Sequence, residues 1–172
     1  MRRLVWIVLT LLALFSVATP CLADVAVIAN EAVKAQELGD IDRAMRLYSQ
    51  VIDSGELKGP DDANLLSFLL NNRGVIWAGL GAFDRAIADY NRAIKIQEDA
   101  SFFYNRGSAW FELGDATKAL ADLERAIQLK PGYTRAYRQR NLVLRSSGQP
   151  VAPVSSSLGL VFGIDAGELG LR

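Results

Sequence analysis

Residues 72–96 read NRGVIWAGLGAFDRAIADYNRAIKI, and residues 105–129 read NRGSAWFELGDATKALADLERAIQL. Laid over each other at an offset of 33, the two segments agree at 12 of 25 positions. The matches are Asn, Arg and Gly at the start, Trp, Leu and Gly in the middle, then Ala, Ala, Asp, Arg, Ala and Ile. A period of this length marks an array of supersecondary units. A third copy lies upstream at an offset of 42, where Leu38-Gly39 aligns with Leu80-Gly81. There Asp42-Arg43-Ala44, Tyr48 and Ile52 match Asp84-Arg85-Ala86, Tyr90 and Ile94.

Each unit predicts two helices. In the second unit the first helix runs from about Ala63 to Leu80 and stops at Gly81, as helices do at glycine. The second runs from about Phe83 to Ile96, with Ala86, Ile87, Tyr90, Ala93 and Ile94 on one face. A glycine inside a helix costs up to about 1 kcal/mol relative to Ala. Its recurrence at Gly74 and Gly107 therefore predicts a close crossing, with Gly74 against Ala86 and Ala93, and Gly107 against Ala119 and Ala126. Larger neighbours such as Trp77 and Leu80 are expected to fill the flanks.

The pattern Asn-Arg-Gly-x-x-Trp-x-x-Leu-Gly-x-x-x-x-Ala-Ile/Leu-x-Asp-x-x-x-Ala-Ile resembles the tetratricopeptide repeat. The resemblance covers about residues 25–131. It implies an all-α fold, a right-handed α-solenoid of about three helix–turn–helix repeats plus a C-terminal capping helix. The expected repeats are about 25–58, 67–99 and 100–133, with the capping helix at 134–147, in a domain spanning 24–148. Pro131 sits where the family commonly ends a repeat, and Glu98 replaces it in the second unit. The first unit departs most: Ala32 stands for the first-helix Gly and Ala35 for the Trp. The longer step between the first two units places an insertion around Ser54–Asp62, where Gly55, Gly59 and Pro60 mark a loop and Asp61 or Asp62 is a candidate N-cap.

The two ends have other compositions. Residues 1–23, MRRLVWIVLTLLALFSVATPCLA, place Arg2 and Arg3 before an apolar run from Leu4 to Ala18. Small residues at Cys21 and Ala23 then fit a signal-peptidase site, which predicts a cleavable signal peptide cut between Ala23 and Asp24. The alternatives are an uncleaved N-terminal anchor and a lipoprotein acylated at Cys21. Leader and repeat style together resemble bacterial exported proteins, so the periplasm or the exterior is the expected compartment. Loss of Arg2 and Arg3 from 19 basic residues leaves 17 against 19 acidic ones, and cleavage also removes the only cysteine. At the other end, residues 149–172 turn to Ser, Gly, Pro and Val, the composition of a disordered tail. Its apolar Leu158–Ile164 leaves open a short strand or a segment packed back.

Little in the sequence points to catalysis. Lys+Arg and Asp+Glu both number 19, so the balance excludes a whole-chain polybasic nucleic-acid binder. There is no histidine, which removes the commonest metal ligand and the commonest general base. No phosphate-binding glycine motif occurs. Carboxylates such as those of Asp40-Asp42-Arg43 and Asp122-Glu124-Arg125 read as a solvated face with local ion pairs. The chain is therefore expected to be no enzyme, with no cofactor, no metal and no small-molecule substrate. Contact with a membrane is expected only through an uncleaved leader.

The resemblance implies a concave groove lined by the first helix of each unit. On this chain the groove places are Phe68, Asn71, Asn72 and Val75, then Ser101, Tyr104, Asn105, Ser108 and Phe111, then Arg135, Arg138, Leu142 and Arg145. Asparagine amides suit the backbone of an extended peptide, and Tyr104 and Phe111 offer apolar contact. The same asparagines also resemble ordinary family framework. Between Lys130 and Arg145 there are five basic residues and no acidic one. Arg135, Arg138 and Arg145 share a narrow helical sector, while Arg140 points elsewhere. Guanidinium forks there suit an acidic peptide, although basic residues near a helix C-terminus are also favoured as simple solvated charges. The expected activity is a non-enzymatic scaffold that binds a partner protein or acidic peptide in this groove. The alternative is a structural repeat protein that stacks end to end.

Overall fold

A computed structural model of the chain describes residues 22–60 and 62–151. The leader up to Cys21 and the tail from residue 152 lie outside the described residues, as does the N-cap candidate Asp61. The described residues form α1 (Leu22–Glu37), α2 (Ile41–Ser54), α3 (Asp62–Gly79), α4 (Phe83–Ile96), α5 (Ala100–Glu112), α6 (Ala116–Leu129) and α7 (Thr134–Ser146). The expected cut between Ala23 and Asp24 falls within the first turn of α1.

The arrangement is an all-α solenoid. Each odd helix packs on the even helix that follows it, and each even helix packs on the next unit. Successive first helices also touch, α3 against α5 and α5 against α7, so they line the inner side of the stack.

Local chemistry sets the boundaries. Asp40, Asp99 and Asp115 cap α2, α5 and α6 by accepting from the backbone N–H groups of Arg43, Ser101 and Lys118 at 3.1, 2.8 and 3.0 Å. Within units the chain reverses at Gly39, Gly81 and Gly114, all with positive φ. The residue after each glycine donates to a carbonyl five positions back, which closes the end of the helix: Asp40 to Ala35, Ala82 to Trp77 and Asp115 to Trp110. In the insertion, Asp62 is the first residue of α3, and its carboxylate turns back to accept from the Gly59 N–H at 2.9 Å. It steadies the loop, whose Leu57 side chain is buried in the core shared by the first and second units.

The crossing glycines sit against their own second helix. A Cβ on Gly107 would meet the Ala119 carbonyl, Asp122 Cβ and Leu123 Cγ, each at 3.1 Å. On Gly74 it would meet the Tyr90 ring at 2.6 Å, so the nearest neighbour is Tyr90 and not the expected Ala86 or Ala93. In the first unit Ala32 takes the buried glycine place, and Ala35, in the tryptophan place, is buried as well. Leu80 does not fill a flank. It lies in the turn and is 62% exposed. Trp77 and Trp110 are half-buried, covered on the outer side by Arg85 at 4.8 Å and Lys118 at 4.2 Å from the ring centroids.

Candidate binding groove

The inner side is built from α3, α5 and α7. Phe68 is 45% exposed and meets Phe102 of α5 edge to face, with centroids 5.5 Å apart. It therefore keeps an apolar surface open beside the joint between units. Asn71 behaves differently. It is only 8% exposed, and its side-chain oxygen accepts from Asn105 Nδ2 at 2.8 Å. These two asparagines form a rung between α3 and α5, so much of their hydrogen-bonding capacity holds the groove together. Asn72 reaches the Tyr48 hydroxyl at 3.4 Å, and that hydroxyl donates to Gln36 Oε1 at 2.7 Å. Burial, the largest influence, pushes the Tyr48 hydroxyl above its ordinary pKa.

Tyr104 lies half-buried against Tyr133, with centroids 5.2 Å apart. Burial raises the Tyr133 pKa, and the facing Tyr104 adds to the rise while Arg135 opposes it. Val75, Tyr104, Asn105 and Ser108 line a shallow pocket between the second and third units, with Tyr90 among its other walls. Phe111 packs into the cluster around Phe103, Leu123 and Val143, so part of its ring serves the core. On α7, Arg135, Arg138 and Arg145 are exposed on one stripe with Leu142. Arg140 lies off that stripe, half-buried, with its guanidinium 5.3 Å from the Tyr137 ring.

A second charged feature had not been singled out from the sequence. Arg73 is gripped by both carboxylate oxygens of Asp89 at 2.8 Å, and Arg106 by both of Asp122 at 2.7 and 2.6 Å. Asp89 and Asp122 are 4% and 7% exposed, so Asp122 is not part of a solvated face. Each arginine also reaches the preceding unit: Arg73 donates to Ser49 Oγ at 3.2 Å, and Arg106 to Asn91 Oδ1 at 2.6 Å. The Asp89 hydrogen bonds, ahead of an opposing desolvation effect, raise the Arg73 pKa further. The signal was present, since Arg and Asp recur among the 12 identities with the same spacing of 16 residues. In the first unit Glu31 replaces the arginine and pairs instead with Arg43 at 3.1 Å.

Among the described residues, no three His, Cys, Asp or Glu side chains gather closely enough to hold a metal ion, and no helix is long and apolar enough to cross a membrane. The repeated helix pair, the crossing glycines and the capped turns find their counterpart in one family pattern, which matches residues 30–101 and again 78–134. The chain belongs to the tetratricopeptide repeat family.

Several solved structures share this architecture. The first tetratricopeptide domain of Spaghetti (RPAP3), bound to the HSP90 peptide SRMEEVD, is 23% identical, with 73% of this chain and 94% of that one aligned at a TM-score of 0.64. MamA is 24% identical over 86% of this chain and 84% of its own, with a TM-score of 0.62. YrrB, described as having an unusual peptide-binding site, is 20% identical over 70% and 59%, with a TM-score of 0.60. At these identities the likeness is one of fold. A comparison with curated proteins finds no match.

Proposed function

We propose that this tetratricopeptide protein is a non-enzymatic scaffold of the bacterial cell envelope that holds an extended, acidic segment of a partner protein along its inner face. The observation that carries the proposal is that Arg135, Arg138 and Arg145 are exposed residues of one stripe of α7, while Phe68 of α3 and Tyr104 of α5 keep partly exposed rings on the other two helices of the inner side. Carboxylates of the partner would meet the arginines, and its apolar side chains the pocket beside Val75 and Ser108. Asn105 and Asn72 retain hydrogen-bonding capacity for the partner's backbone, while Asn71 mainly braces Asn105. The acidic peptide SRMEEVD on the RPAP3 domain gives this ligand class a precedent on the same fold. The envelope location rests on the leader sequence alone.

The test is a capture experiment with tagged mature chain, residues 24–172, beside a variant carrying Arg135→Glu, Arg138→Glu and Arg145→Glu. Circular dichroism first establishes that the variant is folded. A partner held by the wild type and lost by the folded variant supports the acidic-ligand scaffold. Equal retention moves the contact to the aromatic part of the groove or the outer face. Recovery of the chain alone in both lanes favours end-to-end stacking. The location is checked by osmotic-shock fractionation, where a protein that stays with the cytoplasm overturns the envelope assignment.

A further inference from the structure

The shallow pocket beside Val75 is one of a pair. A second cavity, of about 290 Å³, lies one joint earlier in the stack and is walled by Gln36, Ile41, Val75, Ile76, Gly79 and Leu80. The pocket between the second and third units measures about 230 Å³. Ala78 and Phe83 stand there in the places of Gln36 and Ile41, one offset of 42 residues on. Ser108, Ala109 and Glu112 stand in the places of Val75, Ile76 and Gly79, one offset of 33 on. The two are therefore the same site built at successive joints, and Val75, which belongs to both, is the wall between them. At the third joint Phe111 takes the place of Gln36 and Ala78. It packs with Ala116 and Val143 in a buried cluster, and the exposed arginines of α7 follow.

Size and lining decide what the pair can hold. Both cavities lie below the roughly 300–1,000 Å³ of small-molecule sites, so each suits a single side chain. The first has no charged residue in its wall. The second has Ala78, Phe83 and Tyr90 in its wall and one carboxylate, the exposed Glu112. Packed helices have axes about 8–10 Å apart, which sets the step from joint to joint. A β-type segment returns a side chain to the same side every two residues, about 7 Å. A polyproline-II segment does so every three residues, about 9 Å. Of these extended forms, the second matches the step. Its backbone makes no hydrogen bonds of its own, and each pocket offers it an amide, Gln36 in the first and Asn105 in the second. These amides end one hydrogen-bonded chain along the groove floor. Asn105 donates to Asn71 at 2.8 Å, Asn71 to Asn72 at 3.4 Å, Asn72 to the Tyr48 hydroxyl at 3.4 Å, and that hydroxyl to Gln36 Oε1 at 2.7 Å. The chain fixes the register of the two pockets and leaves the Gln36 amide nitrogen and the Asn105 amide oxygen facing the ligand.

We infer that the partner segment lies in the groove in the polyproline-II form, with two apolar side chains three residues apart in the two joint pockets. Its first acidic residue stands a further three along, at the arginine stripe. The inference rests on the acidic-ligand scaffold and adds the spacing that its partner must carry.

Fluorescence anisotropy on the mature chain tests it with labelled short peptides. Two leucines stand two, three, four or seven places apart in an alanine and proline background. A glutamate three places beyond each leucine makes the direction of binding immaterial. The spacing of three is expected to bind about tenfold more tightly than the others. Equal affinities overturn the inference. Tightest binding at seven, the reach of about two helical turns, makes the ligand a helix and also overturns it. A Cβ at Gly79 meets nothing within 4 Å, so Gly79→Phe places a ring in the first pocket, and Ser108→Phe places one in the second. Each is expected to weaken the three-spaced peptide about tenfold with an unchanged melting curve, and full affinity in both overturns the inference. A lysine that binds more tightly than either leucine would make Glu112 the determinant and overturn the apolar pairing. The variant with Arg135→Glu, Arg138→Glu and Arg145→Glu separates the two readings. A spacing preference that survives in it supports the pockets and overturns the scaffold. Release of every peptide by it, with no spacing preference in the wild type, leaves the scaffold standing and overturns the pockets.

Discussion

Gly74 and Gly79 lie on one helix and meet opposite surroundings. A Cβ at position 74 would fall 2.6 Å from the buried Tyr90 ring, whereas at 79 nothing lies within 4 Å. Overpacking costs about 1–3 kcal/mol, and the helix preference of Ala returns up to about 1 kcal/mol. Gly74→Ala is therefore expected to lower the urea midpoint and Gly79→Ala to hold or raise it. Equal effects would show that the crossing is looser than the geometry requires. The recurring glycines made this crossing legible in the sequence; Tyr90 as the neighbour of Gly74 was not, because it depends on how far one helix slides along the other. The buried carboxylates were also missed. Next to Arg125, Asp122 looks like a surface helix pair, and only the spacing from Arg106 separates it from one. Asp122→Ala takes the two-pronged carboxylate from the half-buried Arg106, which keeps only Asn91, and is expected to cost about 2 kcal/mol. A loss below 1 kcal/mol in chemical denaturation would mean that water replaces the carboxylate. Trp110, being half-buried, should cost less on truncation to Ala than the roughly 3–5 kcal/mol of an enclosed ring.

Among elements, the first helices were the most legible, because glycine, tryptophan and the Leu-Gly turn keep phase along the chain. Which of their inner residues remain available to a ligand was not legible. Asn71, Asn72 and Asn105 look alike in sequence, yet Asn71 is spent on the rung to Asn105 because α3 and α5 approach within hydrogen-bonding distance. Asn105→Ala would remove the donor and leave the buried Asn71 oxygen poorly served, which is expected to cost about 1–2 kcal/mol. Asn72→Ala, whose longer bond to Tyr48 is 3.4 Å, should cost less. Thermal melts of the two variants decide this, and a larger loss for Asn72→Ala would place the structural rung in the wrong joint. The α7 stripe was legible by its spacing alone, since exposure there follows from helical phase. The role of Arg140 was not, because it depends on the ring beneath it.

On the scale of the whole molecule, four tyrosines, Tyr48, Tyr90, Tyr133 and Tyr137, have hydroxyl pKa values raised above the ordinary 10.0, each mainly by burial. The folded chain holds these protons where the unfolded chain releases them. Stability from this source is complete below about pH 10 and falls as the pH climbs through the raised values. Urea midpoints between about pH 8 and 11 should decline, and Tyr90→Phe should flatten the decline; an identical slope would remove Tyr90 from the cause. The repeat count and the all-α stack were legible because periodicity survives in sequence. The joints between units were not, since they rest on contacts that cross from one copy to the next. Those joints also bear on ancestry. Each clasping arginine takes its aspartate from its own unit and an uncharged hydrogen-bond partner, Ser49 or Asn91, from the unit that stands before it. A duplicated unit thus carries both halves of its own ion pair and finds a ready polar neighbour upstream. The array can lengthen by whole copies without new compensating changes, and the cleanest scar of such growth would be an added step of 33 residues.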